Sequence, residues 1–349
     1  HIEAIYSVYI MNIIFVDAAL LLLYLSIRKI SNSKSAMFGL ILTLFFLPLF
    51  LYTPIIYSDT MTLFIPIGFV YLFNMKDDKK IISKKNSIIF ILIGILLFLG
   101  KELKITSLII FIALLIGYFI VKFKLIKFVN IGISLSVLII CELLFKVAIV
   151  NNNKFQFQVT NYGSVPVTHW IMMGVEDIDA DNSGRNSYGG YNENDYKLTE
   201  NFEHGKDAIK FNLNETKNRI NKMEIVGYSN YLVRKSVNTW TDGYYFSDVK
   251  LSINSNHKNS FLYNLLITNS ESAKIFRGIT QGVQYAFIIV LLISCILEFK
   301  KNKSFDYLKL TIIGLVIFFL LWENRSRYIF NYIPIFILII IAFYNCLKE

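Results

Sequence analysis

Nine long apolar runs, separated by short polar breaks, make up most of this chain. Several of them reach the roughly 17–25 residues that a helix needs to cross about 30 Å of hydrocarbon. The pattern therefore predicts a mainly α, polytopic membrane protein with about nine transmembrane helices. The runs cover residues 4–27, 37–56, 61–74, 87–100, 105–121, 129–150, 282–299, 308–322 and 328–347.

One long polar segment, residues 152–280, follows the sixth apolar run. Residues 155–174 contain short β-like runs, and residues 175–203 are rich in Asn, Gly and Asp, which is typical of loops. Residues 204–237 carry apolar side chains at helical spacing, and residues 259–280 predict a second helix that leads into the seventh run. We therefore expect this segment to form an α+β domain between the sixth and seventh transmembrane helices.

Lys and Arg concentrate in alternate breaks, namely those after the first, third, fifth and seventh runs. Because membrane proteins retain Lys and Arg in their cytoplasmic loops, this asymmetry predicts that the polar segment is extracytoplasmic. It also explains the net charge of +10 without nucleic-acid binding. We expect a multi-pass protein of the cell membrane with one large extracytoplasmic loop. The predicted units are a transmembrane module at 1–150, an extracytoplasmic domain at 151–281 and a second transmembrane module at 282–349.

The same topology places the beginning of the first run outside the membrane. A chain that starts in the cytoplasm needs a further helix before that point, and this sequence opens with His1 rather than Met. We therefore expect upstream sequence. The three cysteines, Cys141, Cys295 and Cys346, all lie in apolar runs, so they predict no disulfide framework for the polar segment.

Charged residues in the breaks that are poor in Lys are candidates for function, because charge near a membrane boundary is costly. Asp59 is either a functional carboxylate or a turn residue that caps the third run. Lys101 and Lys104 either hold an anionic group such as a lipid phosphate or extend to the interface. Arg325 and Arg327 either bind phosphate through two parallel hydrogen bonds or pair with a neighbouring glutamate.

Two histidines of the polar segment, His204 and His257, have the surroundings of solvated surface residues. His169, next to Trp170, is a more informative position because an apolar run follows it. Its imidazole can serve as a base, a metal ligand or a hydrogen-bonded core residue. No second histidine lies nearby in the sequence, which weakens the metal interpretation and leaves a structural or substrate-contacting role.

Asp195 and Asp242 adjoin clusters of glycine and aromatic residues that include Tyr191 and Trp240. Aromatic faces beside a carboxylate hold sugars by ring stacking and hydroxyl hydrogen bonds, although the same residues also form ordinary turns. The acidic run at 176–181 alternates in the manner of a calcium loop. It lacks the glycine at the sixth position and the glutamate at the twelfth, so we interpret it as a solvated turn.

The order of these clusters resembles the Gram-positive membrane proteins related to protein O-mannosyltransferases and aminoarabinose transferases. That group belongs to the GT-C superfamily and is similar to glycosyltransferase family 39. The resemblance spans the whole chain and rests on the order of the motifs together with the topology. In order, they are Tyr57-Ser58-Asp59, Lys104-Ile105-Thr106, His169-Trp170-Ile171-Met172-Met173-Gly174, Gly189-Gly190-Tyr191-Asn192 with Asp195, Trp240-Thr241-Asp242-Gly243, and Arg325-Ser326-Arg327-Tyr328 before Pro334.

The resemblance implies a hexosyltransferase that moves a sugar from a polyprenyl-phosphate carrier to an extracytoplasmic acceptor. Asp59 is the candidate catalytic carboxylate in this chain. In the superfamily, however, the base lies in the first external loop. We expect that loop and the helix before it to lie upstream of His1, so the sequence as given would lack the main base. The residues expected at the donor phosphate are Lys104, Arg327, Arg325 and Tyr328.

The expected partners are a polyprenyl-phosphate-linked sugar donor, membrane lipids, and an extracytoplasmic acceptor such as a cell-wall glycopolymer, a lipid or a protein. We expect no nucleic acid, no cofactor and no metal. The residues expected to contact the acceptor or the sugar are His169, Trp170, Tyr191, Asp195, Trp240 and Asp242.

A different class of function remains open at this point. The chain would then be a non-catalytic membrane transporter, or a subunit of a cell-surface polysaccharide export or polymerisation system. Transporters tend to contain internal repeats and helices that are broken at the middle of the membrane. The sequence has no recognisable repeat, and its polar residues cluster at one face, which favours the transferase.

Overall fold

The computed structural model describes residues 2–77, 79–120, 124–151, 165–178, 187–202, 205–253, 260–267, 270–297 and 306–348. The fold is mainly helical, as predicted, and every apolar run contains a helix. The helices of these runs are α1 (Ile2–Ile30), α2 (Ser33–Leu44), α3 (Pro48–Leu51), α4 (Ser58–Met61), α5 (Phe64–Met75), α6 (Lys84–Leu103), α7 (Ile109–Ile120) and α8 (Lys127–Phe145), then, after the polar segment, α14 (Glu271–Ile296), α15 (Asp306–Leu321) and α16 (Ile333–Lys348).

Five stretches of helix in the described part of the chain are long and apolar enough to cross a membrane. They are Ile5–Ile30, Lys84–Leu103, Lys127–Val150, Glu271–Ile296 and Ser326–Leu347. Three further apolar helices are shorter, at Ser33–Leu44, Ile105–Ile120 and Tyr307–Leu321. These lengths fit a multi-pass arrangement. That the chain crosses the membrane nine times stays a prediction.

The last helix forms the centre of the bundle. Every residue from Asn331 to Ala342 is buried, and the side chains of α16 pack against α1, α2 and α14. Helix α8 is the opposite case, because only 6% of its apolar window is buried and it packs mainly on α6. Two apolar helices can therefore have opposite environments, which hydropathy alone does not distinguish.

The sequence pattern suggested one continuous helix for the second apolar run, but the structure divides this run between two helices. Helix α2 ends at Leu44, and Pro48 begins the short helix α3. Proline fits the first turn of a helix because its missing N–H has no partner there in any case. The buried Asn12 of α1 then binds the loop that follows, donating to the carbonyl oxygens of Thr53 and Ile55 at 3.0 Å each.

The polar segment is more helical than its sequence predicted. Its described elements are α9 (Val167–Met173), β1 (Asp177–Ile178), β2 (Ser187–Tyr188), α10 (Glu193–Glu200), α11 (Gly205–Trp240), α12 (Ser247–Ile253) and α13 (Phe261–Leu266). The two strands form one antiparallel pair, with Asp177 opposite Tyr188 and Ile178 opposite Ser187. The helix predicted at 204–237 is confirmed by α11, which contains a kink at Glu224. The second predicted helix, at 259–280, is divided between α13 and the beginning of α14.

Two local predictions for the polar segment were wrong. The β-like stretch contains helix α9 in its described part, which begins after the extended Pro166. The loop-like stretch contains α10, because the Asn192 side chain accepts a hydrogen bond from the Asp195 amide at 2.7 Å and caps that helix. Residues 155–164, Asp179, Asp181, His204 and His257 lie outside the described part of the chain.

Backbone hydrogen bonds join the polar segment to the connection between α15 and α16. The Glu323 amide donates to the Trp170 carbonyl at 2.9 Å, and the Asn324 amide donates to the Gly189 carbonyl at 2.8 Å. Gly189 has a φ of 72°, and a Cβ there would lie 2.5 Å from the Gly174 oxygen. Glycine therefore fits this position both by conformation and by space.

The close packing of α6 on α8 gives a test of the bundle. A Cβ at Gly94 would lie 2.6 Å from the Ser134 carbonyl oxygen and 2.7 Å from the Cβ of Val137. We predict that Gly94→Ala destabilises the protein by about 1–3 kcal/mol, because the two helices must separate. Thermal unfolding in detergent measures this change. The matched control is Gly132→Ala on α8, where a Cβ would meet no atom of the described part of the chain within 4 Å. Equal unfolding midpoints for the two variants would contradict the packing.

Candidate functional site

Three breaks in the bundle bring charged residues together at one place. Asp59 lies in the first turn of α4, Lys104 follows the end of α6, and Arg327 lies in the 3-10 helix Ser326–Tyr332. Lys104 has an extended backbone because α6 ends at Leu103 and a 3-10 turn follows. These three residues, which we call the charge cluster, are the same ones that the charge pattern selected.

Tyrosine side chains hold these breaks in place. The Tyr332 hydroxyl donates to the Thr106 carbonyl at 2.7 Å and accepts from the Ile110 amide at 3.3 Å. This links the 3-10 helix of Arg327 to the break of Lys104. The Tyr52 ring stacks on Phe330, with ring centroids 4.3 Å apart. The positions of the cations are therefore set by buried aromatic residues one turn away from them.

The charge cluster is almost completely removed from solvent. The Lys104 ammonium donates to the Asp59 carboxylate, and Arg327 Nη1 lies 3.9 Å from Asp59 Oδ2. The side chains of Lys104, Arg327 and Asp59 are 10%, 9% and 0% exposed. One carboxylate thus faces two cations. Buried ions are stable only when they are paired, so the cluster depends on all three residues.

Two tyrosine rings enclose the cations. The Arg327 guanidinium carbon lies 4.1 Å from the ring centroid of Tyr57 and 4.9 Å from that of Tyr328. The Lys104 ammonium lies 5.1 Å from the Tyr328 centroid. Aromatic faces stabilise cations at such distances, and more strongly away from water. On its other side Tyr57, which is 36% exposed, meets the Lys250 ammonium of α12 at 5.2 Å.

A second buried carboxylate, Glu323, adjoins the cluster. The Tyr328 hydroxyl donates to it, at 2.7 Å from Oε2 and 3.0 Å from Oε1. Burial raises the pKa of Glu323 above its ordinary value, while the Tyr328 hydrogen bond and the nearby arginines act in the opposite direction. Burial also lowers the pKa of Lys104, although Asp59 opposes that change. Both groups are thus shifted towards their neutral forms by the loss of water.

Several polar atoms of the cluster have no hydrogen-bond partner among the described residues. They are Arg327 Nε, Arg327 Nη1 and Asp59 Oδ2, all of them buried. An unsatisfied buried donor costs about 1–3 kcal/mol, and more when it is charged. The arginine therefore presents two N–H groups to any acceptor that enters, and a guanidinium suits the oxygens of a phosphate.

Arg325 lies apart from the charge cluster. Its guanidinium carbon is 5.0 Å from the centroid of the Phe246 ring, and Nη2 donates to the Tyr191 carbonyl at 3.3 Å. Burial lowers the pKa of Lys250, and Arg327 and Arg325 act in the same direction. The charge of Arg325 thus still reaches a neighbour of the cluster. The structure thus brings Asp59, Lys104, Arg327 and Tyr328 together directly and places Arg325 at their edge.

The predicted sugar contacts divide into exposed and buried groups. Tyr191 is 41% exposed, whereas His169 is fully buried, with Nδ1 at 2.8 Å from the Thr199 hydroxyl. Burial lowers the pKa of His169, and Asp195 opposes that effect. Trp170 is half-buried and contacts the His169 ring edge to face, with centroids 4.9 Å apart. The imidazole therefore sits in the interior of the polar segment.

Asp195 is occupied by an ion pair within the polar segment. Arg219 reaches it through two nitrogens, at 2.7 and 2.8 Å, in the bidentate arrangement typical of strong arginine–carboxylate pairs. Arg219 also meets Glu176 at 2.8 Å and Glu215 at 3.0 Å. Glu176 thus belongs to this ion-pair network, although its run was interpreted as a solvated turn. The network ties α10 and the chain after α9 to α11.

Asp242 organises the turn between α11 and α12. Its carboxylate accepts from the amides of Tyr244 at 3.0 Å and Phe246 at 2.8 Å, and from the Ser326 hydroxyl at 2.7 Å. Tyr245 and Phe246 have φ values of 52° and 64°, which non-glycine residues rarely adopt. The turn interpretation of Asp242 therefore describes its contacts.

Trp240 packs inside the bundle, with its ring 5.9 Å from that of Phe336. This places the end of α11 against the central helix α16. The indole is only half-buried, so part of it remains accessible.

Lys235, on α11, was not singled out by the sequence. Its side chain is completely buried, and its Nζ donates to the carbonyl oxygens of Gly174 and Leu320, at the ends of α9 and α15. Carbonyls at helix ends lack partners and carry partial negative charge, so a donor there stabilises both helices. Burial lowers the pKa of Lys235 to about 7, with Glu323 opposing.

The residues that sequence reasoning missed are Glu323, Tyr57, Lys250 and Lys235. Glu323 was considered only as a partner of the arginines, and Tyr57 only as part of a motif. A glutamate directly after a long apolar run was a usable signal. Lys235 gave no such signal, because it is one of many lysines on α11. Among the described residues, no group of three His, Cys, Asp or Glu side chains could hold a metal ion.

Comparison with known proteins identifies the family. A protein-family model described as a conserved hypothetical integral membrane protein matches residues 5–346. The match covers nearly the whole chain, and the chain belongs to this family of integral membrane proteins. Searches of curated proteins and of solved structures gave no significant match.

The buried lysine predicts a pH dependence of stability. Between pH 10.5 and about 7 the folded protein holds Lys235 neutral, while the unfolded chain protonates it. The unfolded state binds more protons in this window, so this residue makes stability fall as the pH is lowered to about 7, by up to about 1.4 kcal/mol per pH unit. Below pH 7 its contribution stays constant.

Unfolding midpoints in detergent at pH 7 and pH 9 provide the measurement. We expect Lys235→Met to reduce the difference between the two midpoints, because the titrating group is gone. The control is Lys197→Met, whose side chain is 64% exposed in a surface pair with Glu193. If Lys235→Met and the wild type show the same pH dependence, Lys235 is not held neutral.

Proposed function

We propose that this protein is a glycosyltransferase that moves a hexose from a polyprenyl-phosphate carrier to an extracytoplasmic acceptor. The observation that carries the proposal is that two nitrogens of buried Arg327, Nε and Nη1, lie beside the buried Lys104 and donate no hydrogen bond to any described residue. A site that holds two cations out of water and leaves donors unused is suited to an anion. A lipid phosphate reaches such a site from the membrane without crossing water.

The proposed topology has nine membrane spans with the polar segment, residues 151–281, as an extracytoplasmic α+β domain. The Lys-rich breaks after the odd-numbered runs support this orientation. The charge cluster then lies at the extracytoplasmic end of the bundle, beneath the polar segment. The modules at 1–150 and 282–349 together supply its three charged residues.

In this proposal the phosphate accepts hydrogen bonds from Arg327 and the charge of Lys104 stabilises it as a leaving group. Such fixed cations act on charge that develops in the transition state, where they are most effective. Asp59 is bound by Lys104, so we assign it the role of holding the two cations in position.

The exposed aromatic surface of the polar segment is the proposed contact for sugar or acceptor. Tyr191 offers an open ring, and its carbonyl holds Arg325 at 3.3 Å, which relates this surface to the charge cluster. Trp170 and Trp240 are half-buried and offer part of their rings. His169, Asp195 and Asp242 would then support the shape of this surface through the contacts described above, without touching the sugar.

The alternative of a transporter, or of a subunit of a polysaccharide export or polymerisation system, receives less support. A transporter needs polar groups along a path through the membrane. The central helix α16 is buried and apolar from Ile333 to Ala342. The charge cluster lies at one end of the described bundle, which favours a reaction at the membrane surface.

We predict that Lys104→Ala and Arg327→Ala each lower the release of polyprenyl phosphate by about 100-fold or more, because each removes a cation from the leaving group. The measurement uses full-length protein in lipid nanodiscs with a radiolabelled polyprenyl-phosphate hexose. The control is Lys101→Ala, three residues away, whose side chain is 47% exposed and pairs with Glu142 at 2.6 Å. It should retain wild-type activity.

Binding of sugar-free polyprenyl phosphate separates the two parts of the proposal. Loss of binding in both cluster variants, with retention in the control, supports the phosphate site. The proposal is overturned if wild-type protein neither binds this lipid nor releases it from any hexose donor.

A further inference from the structure

We propose that Tyr328 and Glu323 form a proton-accepting pair that activates a hydroxyl group of the acceptor. This inference rests on the proposed function, and it adds the chemical class of the nucleophile and the group that takes its proton. It depends on the contacts of two side chains that are five residues apart and meet beside the charge cluster.

The geometry of the pair is that of a short relay. The Tyr328 hydroxyl lies 2.7 and 3.0 Å from the two Glu323 oxygens and 3.3 Å from Arg327 Nη2. The half-buried Tyr328 ring lies between the two cations of the site, 5.1 Å from the Lys104 ammonium and 4.9 Å from the Arg327 guanidinium. A phosphate bound to these cations therefore lies near the tyrosine, and so does the sugar carbon attached to it.

Packing fixes the pair from both sides. Tyr328 stacks on Phe319 of α15, with centroids 6.2 Å apart and ring planes 18° apart. The backbone of Glu323 is bound to Trp170 of α9. The phenol and the carboxylate are thus held in contact by elements on opposite sides, which keeps the relay aligned.

The groups around Glu323 suit a proton acceptor. Basic side chains lie around it: Arg325 and Arg327 on the 3-10 helix, Lys104 at the end of α6, and Lys235 on α11, which is neutral above about pH 7. Burial raises its pKa, and the surrounding cations limit that rise. A base is most effective when its pKa approaches the working pH, because it is then ionised but still basic.

Asp59 is less suited to the same task. Its carboxylate is bound by the Lys104 ammonium, and Arg327 lies close to its other oxygen. The two cations therefore occupy this carboxylate, which leaves it the role of positioning them. The partner of Glu323 is a neutral phenol, which can pass on a proton without leaving a buried charge behind.

The proposed step balances as follows. The acceptor oxygen forms a bond to the anomeric carbon while the bond from that carbon to the phosphate oxygen breaks. The acceptor proton moves to the Tyr328 oxygen, and the Tyr328 proton moves to Glu323. The electron pair of the broken bond leaves with the phosphate, which is stabilised by Lys104 and Arg327. The proton on Glu323 is later released to solvent.

The test uses Glu323→Gln and Tyr328→Phe in full-length protein, with a polyprenyl-phosphate hexose as donor. Both variants preserve shape, and thermal unfolding checks their folding. We expect each to lower turnover by about 100-fold or more while binding of sugar-free polyprenyl phosphate stays within threefold. The wild-type rate should fall as the pH is lowered through the pKa of Glu323, and this acid limb should disappear in Glu323→Gln.

The control is Tyr118→Phe, near the end of α7 that lies away from Lys104, which removes another buried hydroxyl, one that accepts from Asn130 Nδ2 at 3.1 Å. We expect wild-type turnover with an unchanged acid limb. The inference is overturned if wild type is active and either test variant keeps wild-type turnover, or if Glu323→Gln keeps the acid limb. A wild type without any transfer instead refutes the proposed function, which distinguishes the two failures. Glu323→Asp, which shortens the base, should recover part of the turnover and restore the acid limb.

Discussion

The pairing of one carboxylate with two buried cations is the interaction on which this structure depends. Asp59, Lys104 and Arg327 come from three separate breaks, and none of them could be removed from water alone without a large cost in free energy. The pairing therefore requires that the ends of α4, α6 and α15 meet. The tyrosine rings around the cations then fill the space that water would otherwise occupy. The residues that must pair for the chain to fold thus also form the candidate site.

The same principle governs the polar segment. Arg219 neutralises Asp195, and Lys235 binds carbonyl groups at two helix ends instead of a carboxylate. These contacts explain why the segment is built from helices that pack on the bundle. Its function in the proposed transferase is to cover the charge cluster and to present an aromatic surface beside it. The pair Tyr328–Glu323 lies at the boundary between these two parts.

The sequence predicted those features that depend on local pattern. The apolar runs located the helices of the bundle. Asp59, Lys104 and Arg327 were selected because they are charged residues in the breaks that are poor in Lys. It could not show that these residues touch, because their contacts join positions 45 and more residues apart. It also predicted a sugar-binding role for Asp195. The arginine that pairs with this carboxylate lies 24 residues away, so the sequence did not identify it as the partner. In the described part of the β-like stretch, Val167–Met173 forms a helix because tertiary packing outweighs the local preference.

The connection between α15 and α16 has a thermodynamic consequence. Asn324 is bound to Gly189, and Ser326 is bound to Asp242. Two of the three residues directly before Arg327 are thus attached to the polar segment by these hydrogen bonds. Movement of that segment must therefore displace the guanidinium. Suppose that a ligand in the charge cluster favours one arrangement of the polar segment. A second ligand that binds this arrangement then increases the affinity for the first ligand by the same factor, because linkage is reciprocal. In the proposed transferase, donor and acceptor would then bind cooperatively through the protein, in addition to the contact between their reacting atoms.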